Sequence, residues 1–142
     1  MDSGSALVVA AASGVVTNTH DGEYDRCHVD LLAGDVSCDG HPMKANLITI
    51  EHEGGWQTSY LHLKAGSLLV SEGERVSCGQ PIALIGSSGY STAPHLHLEV
   101  EDPFGRVTDP FAGERSQGYS LWVDEGARGE GGSLLPLALC AD

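Results

Sequence analysis

Positive charge is scarce in this sequence, and long apolar runs are absent from it. Only 7 Lys and Arg stand against 20 Asp and Glu in 142 residues, so the formal net charge is −13. A chain this acidic repels the phosphates of nucleic acids and the headgroups of anionic membranes. No apolar stretch approaches the roughly 20 residues that a membrane-spanning helix needs. We therefore expect no nucleic-acid partner and no transmembrane segment, and we expect a monomer.

Long helical patterns are also lacking, whereas turn residues are abundant. The chain contains 19 Gly and 6 Pro, which helix interiors tolerate poorly and which turns favour. Many short strands joined by such turns are typical of an all-β domain, which is the predicted fold class. The expected strands are 6–12 and 15–16, which form a hairpin, then 46–53 and 57–63, which form another, and finally 67–70, 82–85 and 95–101.

The strand pattern weakens towards the C-terminus. Residues 126–133 read GARGEGGS, a composition typical of linkers. We expect one domain over residues 1–113 and a Gly-rich C-terminal extension over 114–142. Within the domain, residues 18–45 are polar and predict a long loop.

Cysteine pairs with zinc-finger spacing are missing. None of the four cysteines forms a C-x-x-C pair, so disulfides in an oxidising compartment are the preferred interpretation, either extracellular or periplasmic. Cys27–Cys38 is the favoured bond, because it closes a short polar stretch at small entropic cost. Cys78–Cys140 then follows. The first bond would staple the long loop at 18–45, which is otherwise unusual in a small domain.

The most informative segment is His95-Leu96-His97-Leu98-Glu99-Val100. In a strand, its apolar residues would face the core, and His95, His97 and Glu99 would face the other way, about 6.6 Å apart for every second residue. Neutral imidazole is a preferred zinc ligand, so two imidazoles on one face of a strand favour a small metal or catalytic site.

A second segment, Tyr60-Leu61-His62, carries another histidine on a predicted strand. Alternation places Tyr60 and His62 on one face, where His62 could lie beside the first pair. Tyr60 is therefore a candidate groove residue. Trp56, at the hairpin tip, is either a groove residue that contacts substrate or a local packing residue.

These segments resemble a known family. The runs VVAAASGVV, SYLHL, GERVSCGQPIALIG and GSSGYSTAPHLHLEV are similar to the lysostaphin-type zinc metalloendopeptidases, which cut peptidoglycan peptides. The resemblance extends from about Ala6 to Pro110. Its most specific part is the H-L-H-x-E run after G-x-S-T-x-P.

The resemblance implies mainly antiparallel β-sheets in a barrel-sandwich (duplicated hybrid) arrangement, with a groove over one sheet. It also implies one Zn²⁺ ion, held by the His and Asp of an early H-x-x-x-D motif and by the second His of H-x-H, here His97. By the same resemblance, His95 is the general base. His62 orients water or stabilises the transition state.

The early ligand motif is not found in this sequence. It should lie a few residues before Val9, but the first histidine is His20 and the nearest acid is Asp2. Either the motif lies upstream of the given sequence, or this is a degenerate member that has lost it. Substitution by His20 and Asp25 is a weaker alternative, because both follow the predicted first hairpin.

The predicted function is therefore a zinc-dependent metalloendopeptidase that hydrolyses peptide bonds of bacterial cell-wall peptidoglycan. The alternative is a metal-deficient, non-catalytic member that binds wall peptides or regulates a wall hydrolase.

Overall fold

The computed structural model describes residues 6–110. This part is built of strands and one 3-10 turn at Glu53–Gly55, which confirms the predicted all-β class. No helix among these residues is long and apolar enough to cross a membrane. The strands are β1 (Leu7–Val9), β2 (Gly14–His20), β3 (His28–Asp30), β4 (Asp35–Ser37), β5 (Leu47–Glu51), β6 (Gln57–Leu61), β7 (Arg75–Val76), β8 (Pro81–Leu84) and β9 (His97–Glu101).

Five strands form an antiparallel sheet in the order β7-β2-β5-β6-β9. The predicted hairpin around Gly54-Gly55 is its centre, because β5 pairs with β6 in register Ile48↔Tyr60. Both glycines have positive φ, 80° and 88°, which other residues adopt only at a cost. Alternation in β5 places Ile48 and Ile50 in the core, each fully buried.

The first strand joins a different sheet from the one predicted. β1 pairs with β8, with Val8 opposite Ala83, whereas β2 pairs with β5 and β7. The predicted hairpin over 6–16 is therefore wrong. Val8 and Val16 nevertheless bury their side chains in the same core cluster. Two apolar segments this close in sequence can share a core without pairing as strands. The apolar pattern alone does not distinguish a paired hairpin from two strands in different sheets.

The predicted strand at 67–70 is also not formed. Only Leu69 in this stretch makes a ladder-like backbone bond, from its N–H to the carbonyl of Ile82 at 2.9 Å. Val70 nevertheless packs in the core at 5% exposure. The apolar pattern of residues 67–70 therefore reports the burial of Val70. It does not show that the stretch lacks the further backbone hydrogen bonds that a strand needs.

The long polar segment contains a small hairpin of its own. β2 continues to His20, and β3 pairs with β4. The predicted Cys27–Cys38 disulfide is present and closes this hairpin, with both cysteines buried. The predicted Cys78–Cys140 bond and the boundary at residue 113 involve residues outside those described.

A buried histidine begins a chain of polar contacts inside the domain. His52 is 3% exposed and its Nδ1–H donates to the carbonyl of Ser13 at 2.7 Å. Its Nε2 lies 2.7 Å from Thr58 Oγ1, which lies 3.0 Å from the hydroxyl of Tyr60. That hydroxyl accepts the N–H of Ala11 at 2.8 Å. Burial lowers the pKa of His52 below its ordinary value of 6.5, although the Ser13 carbonyl opposes the shift.

We expect the free energy of unfolding to decrease as the pH falls below about 6.5. The pKa of His52 is lower in the folded state, so below 6.5 the unfolded chain binds the proton first. His52 makes its full contribution to the free energy of unfolding at a pH above its pKa in the unfolded chain. This contribution is lost as the pH falls towards the pKa of His52 in the folded chain, at up to about 1.4 kcal/mol per pH unit. Urea unfolding between pH 7.5 and 5 measures it.

The control for this prediction is His52→Gln, which has no titrating ring. Burial also lowers the pKa of His62, so His62 makes the free energy of unfolding depend on pH in the same direction. The His52→Gln variant keeps this part of the dependence. The variant should therefore show a smaller dependence on pH than the parent chain. An identical slope in both proteins would mean that His52 does not titrate on unfolding.

Candidate active site

Three histidines meet where β6 ends and β9 begins. His62 follows β6 directly, and His97 is the first residue of β9, opposite Leu61 in the antiparallel register. The ring centroid of His62 lies 4.7 Å from that of His95 and 5.7 Å from that of His97. The histidines of the Y-x-H and H-x-H segments thus form one cluster.

The backbone at His62 explains how its ring reaches the other two. Strand alternation continues through Tyr60 and Leu61, but His62 has a φ of 65°, which is rare for a residue other than glycine. Its N-terminal neighbour Leu61 is half-buried, and the next residue, Leu63, is fully buried. The unusual φ therefore ends the alternation of β6 just before the cluster.

Carbonyl groups of the Gly/Ser-rich loop hold two of the rings. His62 Nδ1 lies 2.6 Å from the carbonyl of Ser88, and His95 Nδ1 lies 2.7 Å from the carbonyl of Ala93. Since a carbonyl only accepts, each Nδ1 must carry the proton. Each neutral ring is then left with a lone pair on Nε2. Ser91 Oγ adds a longer contact to His95 Nδ1, at 3.2 Å.

Sequence reasoning missed these carbonyls, because backbone groups leave no mark on residue type. The available signal is the position of the loop, GSSGYSTAP, directly before the H-x-H segment. A loop rich in Gly and Ser at that place can turn its carbonyls towards the rings that follow it.

Buried polar contacts fix the loop against the strand end. Ser88 Oγ donates to the carbonyl of Leu63 at 2.9 Å and accepts the N–H of Asn46 at 2.9 Å. The side-chain amide of Asn46 also donates to the carbonyl of Leu63, at 3.1 Å. A Cβ at Gly86 would lie 2.7 Å from the Cα of Lys64, so glycine permits this close approach. The Ser88 carbonyl is therefore held in place beside His62.

The cluster has one buried wall and one open side. His62 is 7% exposed, whereas His95 and His97 are exposed. Burial lowers the pKa of His62; the Ser88 carbonyl raises it, and the imidazoles of His95 and His97 lower it further. His97 Nε2 lies 3.6 Å from Glu99 Oε2 on the same face of β9. A peptide can thus approach His95 and His97 from solvent.

Strand β9 is shorter than the sequence predicts. It begins at His97, so His95 precedes the strand. Leu96, expected in the core, is 37% exposed, whereas Val100 is buried as expected. The backbone N–H of His95 donates to the carbonyl of Gly86 at 3.3 Å, so at this position the chain pairs with the loop and not with β6.

The two candidate groove residues lie away from the histidines. Tyr60 is 1% exposed and its hydroxyl is bound inside the core, because it faces inward with Thr58. Trp56 is half-buried and packs on the small cluster of Ala12 and Val100. Trp56 directly precedes β6 and His62 directly follows it, so the two residues lie about 20 Å apart along the extended strand. The structure therefore gives Tyr60 and Trp56 packing positions.

Residues 6–110 do not form a metal site on their own. Among them, no group of three or more His, Cys, Asp or Glu is arranged to hold a metal ion. His97 is the ligand in this range that the resemblance implies, and a zinc site needs at least three ligands from the protein. His20 and Asp25 have other partners. His20 Nε2 lies 2.8 Å from Glu23 Oε1, and Asp25 Oδ2 accepts the N–H of Ala65 at 2.8 Å.

Comparison with protein families identifies the family of this chain. Peptidase family M23 matches residues 1–110, about three quarters of the chain. The chain belongs to Peptidase family M23. The resemblance to lysostaphin-type endopeptidases is thereby confirmed.

Individual relatives in family M23 agree with this assignment. Peptidoglycan DD-endopeptidase ShyB of Vibrio cholerae is 48% identical over 60 residues, which are 42% of this chain and 14% of that protein. Glycyl-glycine endopeptidase ALE-1 of Staphylococcus capitis is 41% identical over 73 residues, which are 49% of this chain and 20% of that protein. The matches thus span only a small part of these relatives.

A solved structure supports the M23 fold. The catalytic domain of the antimicrobial peptidase lysostaphin from Staphylococcus simulans superimposes with a TM-score of 0.52 at 28% identity. The match covers 78% of this chain and 70% of that domain. The mainly antiparallel fold implied by the resemblance is therefore confirmed.

Proposed function

We propose that this M23 chain hydrolyses peptide bonds of bacterial cell-wall peptidoglycan as a zinc-dependent metalloendopeptidase. The observation that carries the proposal is the cluster of three imidazoles with ring centroids 4.7 and 5.7 Å apart, open to solvent on one side. The names of two relatives, a peptidoglycan DD-endopeptidase and a glycyl-glycine endopeptidase, support the substrate class.

His95 is the proposed general base. Its Nδ1–H is bound to the Ala93 carbonyl, so Nε2 is the atom that can take a proton from the attacking water. Imidazole is the most frequent general base in enzymes. The ring is exposed, and an approaching substrate can reach it.

His62 is the proposed residue that orients the water. Its one N–H in the neutral state is donated to Ser88, so Nε2 offers a lone pair and can accept a hydrogen bond from that water. Stabilising an oxyanion would need a donor at Nε2. Of the two roles that the resemblance implies, the hydrogen bonding therefore favours orienting water.

His97 is the proposed zinc ligand. Zinc, when bound, lowers the pKa of a bound water and polarises a carbonyl. The further ligands that the proposal needs are not among residues 6–110. A wall substrate together with the Cys27–Cys38 disulfide supports an extracellular or periplasmic location.

Two measurements test the proposal together. Mass spectrometry of the protein expressed with its native upstream sequence should find about one equivalent of zinc. Labelled peptides should be cut at one of the two bonds that the relatives' names specify, a D,D-peptide cross-link or a glycyl-glycine bond. His20→Ala, a histidine outside the cluster, is the matched control and should cut at the parental rate. A chain without zinc that cuts neither peptide contradicts the proposal.

The second candidate is a non-catalytic module that binds wall peptides or regulates a wall hydrolase. It is favoured by one observation, the incomplete ligand set of residues 6–110. Sedimentation with purified cell walls distinguishes the two candidates. Wall binding that persists in a chain that neither holds zinc nor cuts peptide supports this second function.

A further inference from the structure

A cavity of about 410 Å³ lies next to the histidine cluster. Its walls include Arg26, Lys64, Ala93 and Pro94. Ala93 is the residue whose carbonyl holds His95, and Pro94 directly precedes that histidine. Lys64 follows His62 by two residues. The cavity therefore shares its wall with the candidate active site, although none of the three clustered histidines lines it.

Two cationic side chains face this cavity without an anionic partner. Of the five Lys and Arg in residues 6–110, Arg26 and Lys64 line it, and no ion pair found in that range includes either one. The acid in the wall, Asp25, uses Oδ2 to accept the N–H of Ala65 at 2.8 Å. Two cations against this one carboxylate leave the lining residues a net charge of 2 − 1 = +1, in a chain whose net charge is −13.

The segment that carries Arg26 is fixed to the active-site loop. The N–H of Cys27 donates to the carbonyl of Ser87 at 3.0 Å, and the N–H of Ser87 donates to the carbonyl of Asp25 at 2.9 Å. Ser87 Oγ donates to the carbonyl of Cys27 at 2.7 Å, and the disulfide closes the hairpin behind it. The backbone on both sides of Arg26 is therefore fixed against the active-site loop, and the exposed Arg26 side chain extends from this fixed base.

We propose that this cavity is a subsite that binds a free carboxylate of the peptide substrate through Arg26 and Lys64. Guanidinium and ammonium groups bind carboxylates through charge-assisted hydrogen bonds, which are stronger than neutral ones. An acidic protein repels an anionic peptide elsewhere on its surface, so two unpaired cations beside the histidines orient it. The inference rests on the proposed function for the statement that the ligand is a substrate.

Calorimetric titration with a matched peptide pair tests the subsite. The two peptidoglycan stem peptides are identical except that one carries a free side-chain carboxylate and the other its carboxamide. Titration in the His95→Ala background leaves the peptides intact. The carboxylate form should bind about tenfold more tightly. Arg26→Gln and Lys64→Gln should each reduce this preference, whereas Lys64→Arg, which keeps the charge, should retain it.

Arg75→Gln is the control for a general loss of positive charge. Arg75 lies in β7, at the opposite edge of the five-stranded sheet from β9, and lines a different cavity. It should leave the preference unchanged. Equal binding of both peptides, no binding of either, or a preference that survives in Arg26→Gln and Lys64→Gln overturns the subsite. A preference in a chain that cuts no peptide keeps the subsite and removes the hydrolase, so the two failures are distinguishable.

Discussion

Replacing His95 by Ala should lower kcat/KM for peptide cleavage by about 10²- to 10⁴-fold. In the proposed mechanism His95 Nε2 takes the proton of the attacking water, because Nδ1–H is bound to Ala93. The loss should fall on kcat, since the base acts in the transition state and adds little to substrate binding. Steady-state kinetics on the labelled peptide that the parent chain cuts give both constants.

The control for this substitution must separate catalysis from folding. His95 is exposed, so its truncation removes little buried surface and the thermal midpoint should hardly change. His41→Ala, which removes a ring stacked on Tyr24 outside the cluster, should leave kcat unchanged. A His95→Ala protein that keeps its midpoint and loses less than about fivefold in kcat would show that the base is another group.

Simple features of the sequence predict the two strands that carry the three histidines. Two short β-branched runs around Gly54-Gly55 predict one hairpin, and the alternating run at 95–101 predicts a strand that can pair with it. The sequence does not show that β9 pairs with β6 and not with another strand. That pairing joins residues about 40 apart, and the resemblance implies only that the three histidines act in one site.

Backbone geometry explains where the pattern misled. The alternation rule assigns Tyr60 and His62 to one face, but the left-handed φ of His62 ends the strand there. Tyr60 lies in the core because it alternates in β6 with buried Thr58, and the ring of His62 reaches the cluster. A single-residue backbone state of this kind has no signature in hydrophobic periodicity, which reports only averaged faces.

Replacing both Cys27 and Cys38 by Ala should lower the free energy of unfolding by about 3 kcal/mol. The bond joins residues 11 apart, and its loss enlarges the conformational freedom of the unfolded chain. Each cysteine is almost fully buried, so the cost of lost packing adds to this figure. Thermal unfolding should show a midpoint lower by about 10–20 °C. Leu31→Ala, at the exposed hairpin tip, should leave it unchanged.

The same double substitution should lower kcat for peptide cleavage even where the protein is fully folded. Hydrogen bonds join residues 25 and 27 to Ser87, the disulfide ties Cys27 to Cys38, and the next residue after Ser87, Ser88, binds His62 through its carbonyl. Without the bond this contact loosens, and the ring of His62 loses its fixed tautomer and direction. Kinetics measured well below the variant's midpoint separate this effect from unfolding. An unchanged kcat there would mean that Asn46 and Leu63 alone are enough to hold Ser88 in place.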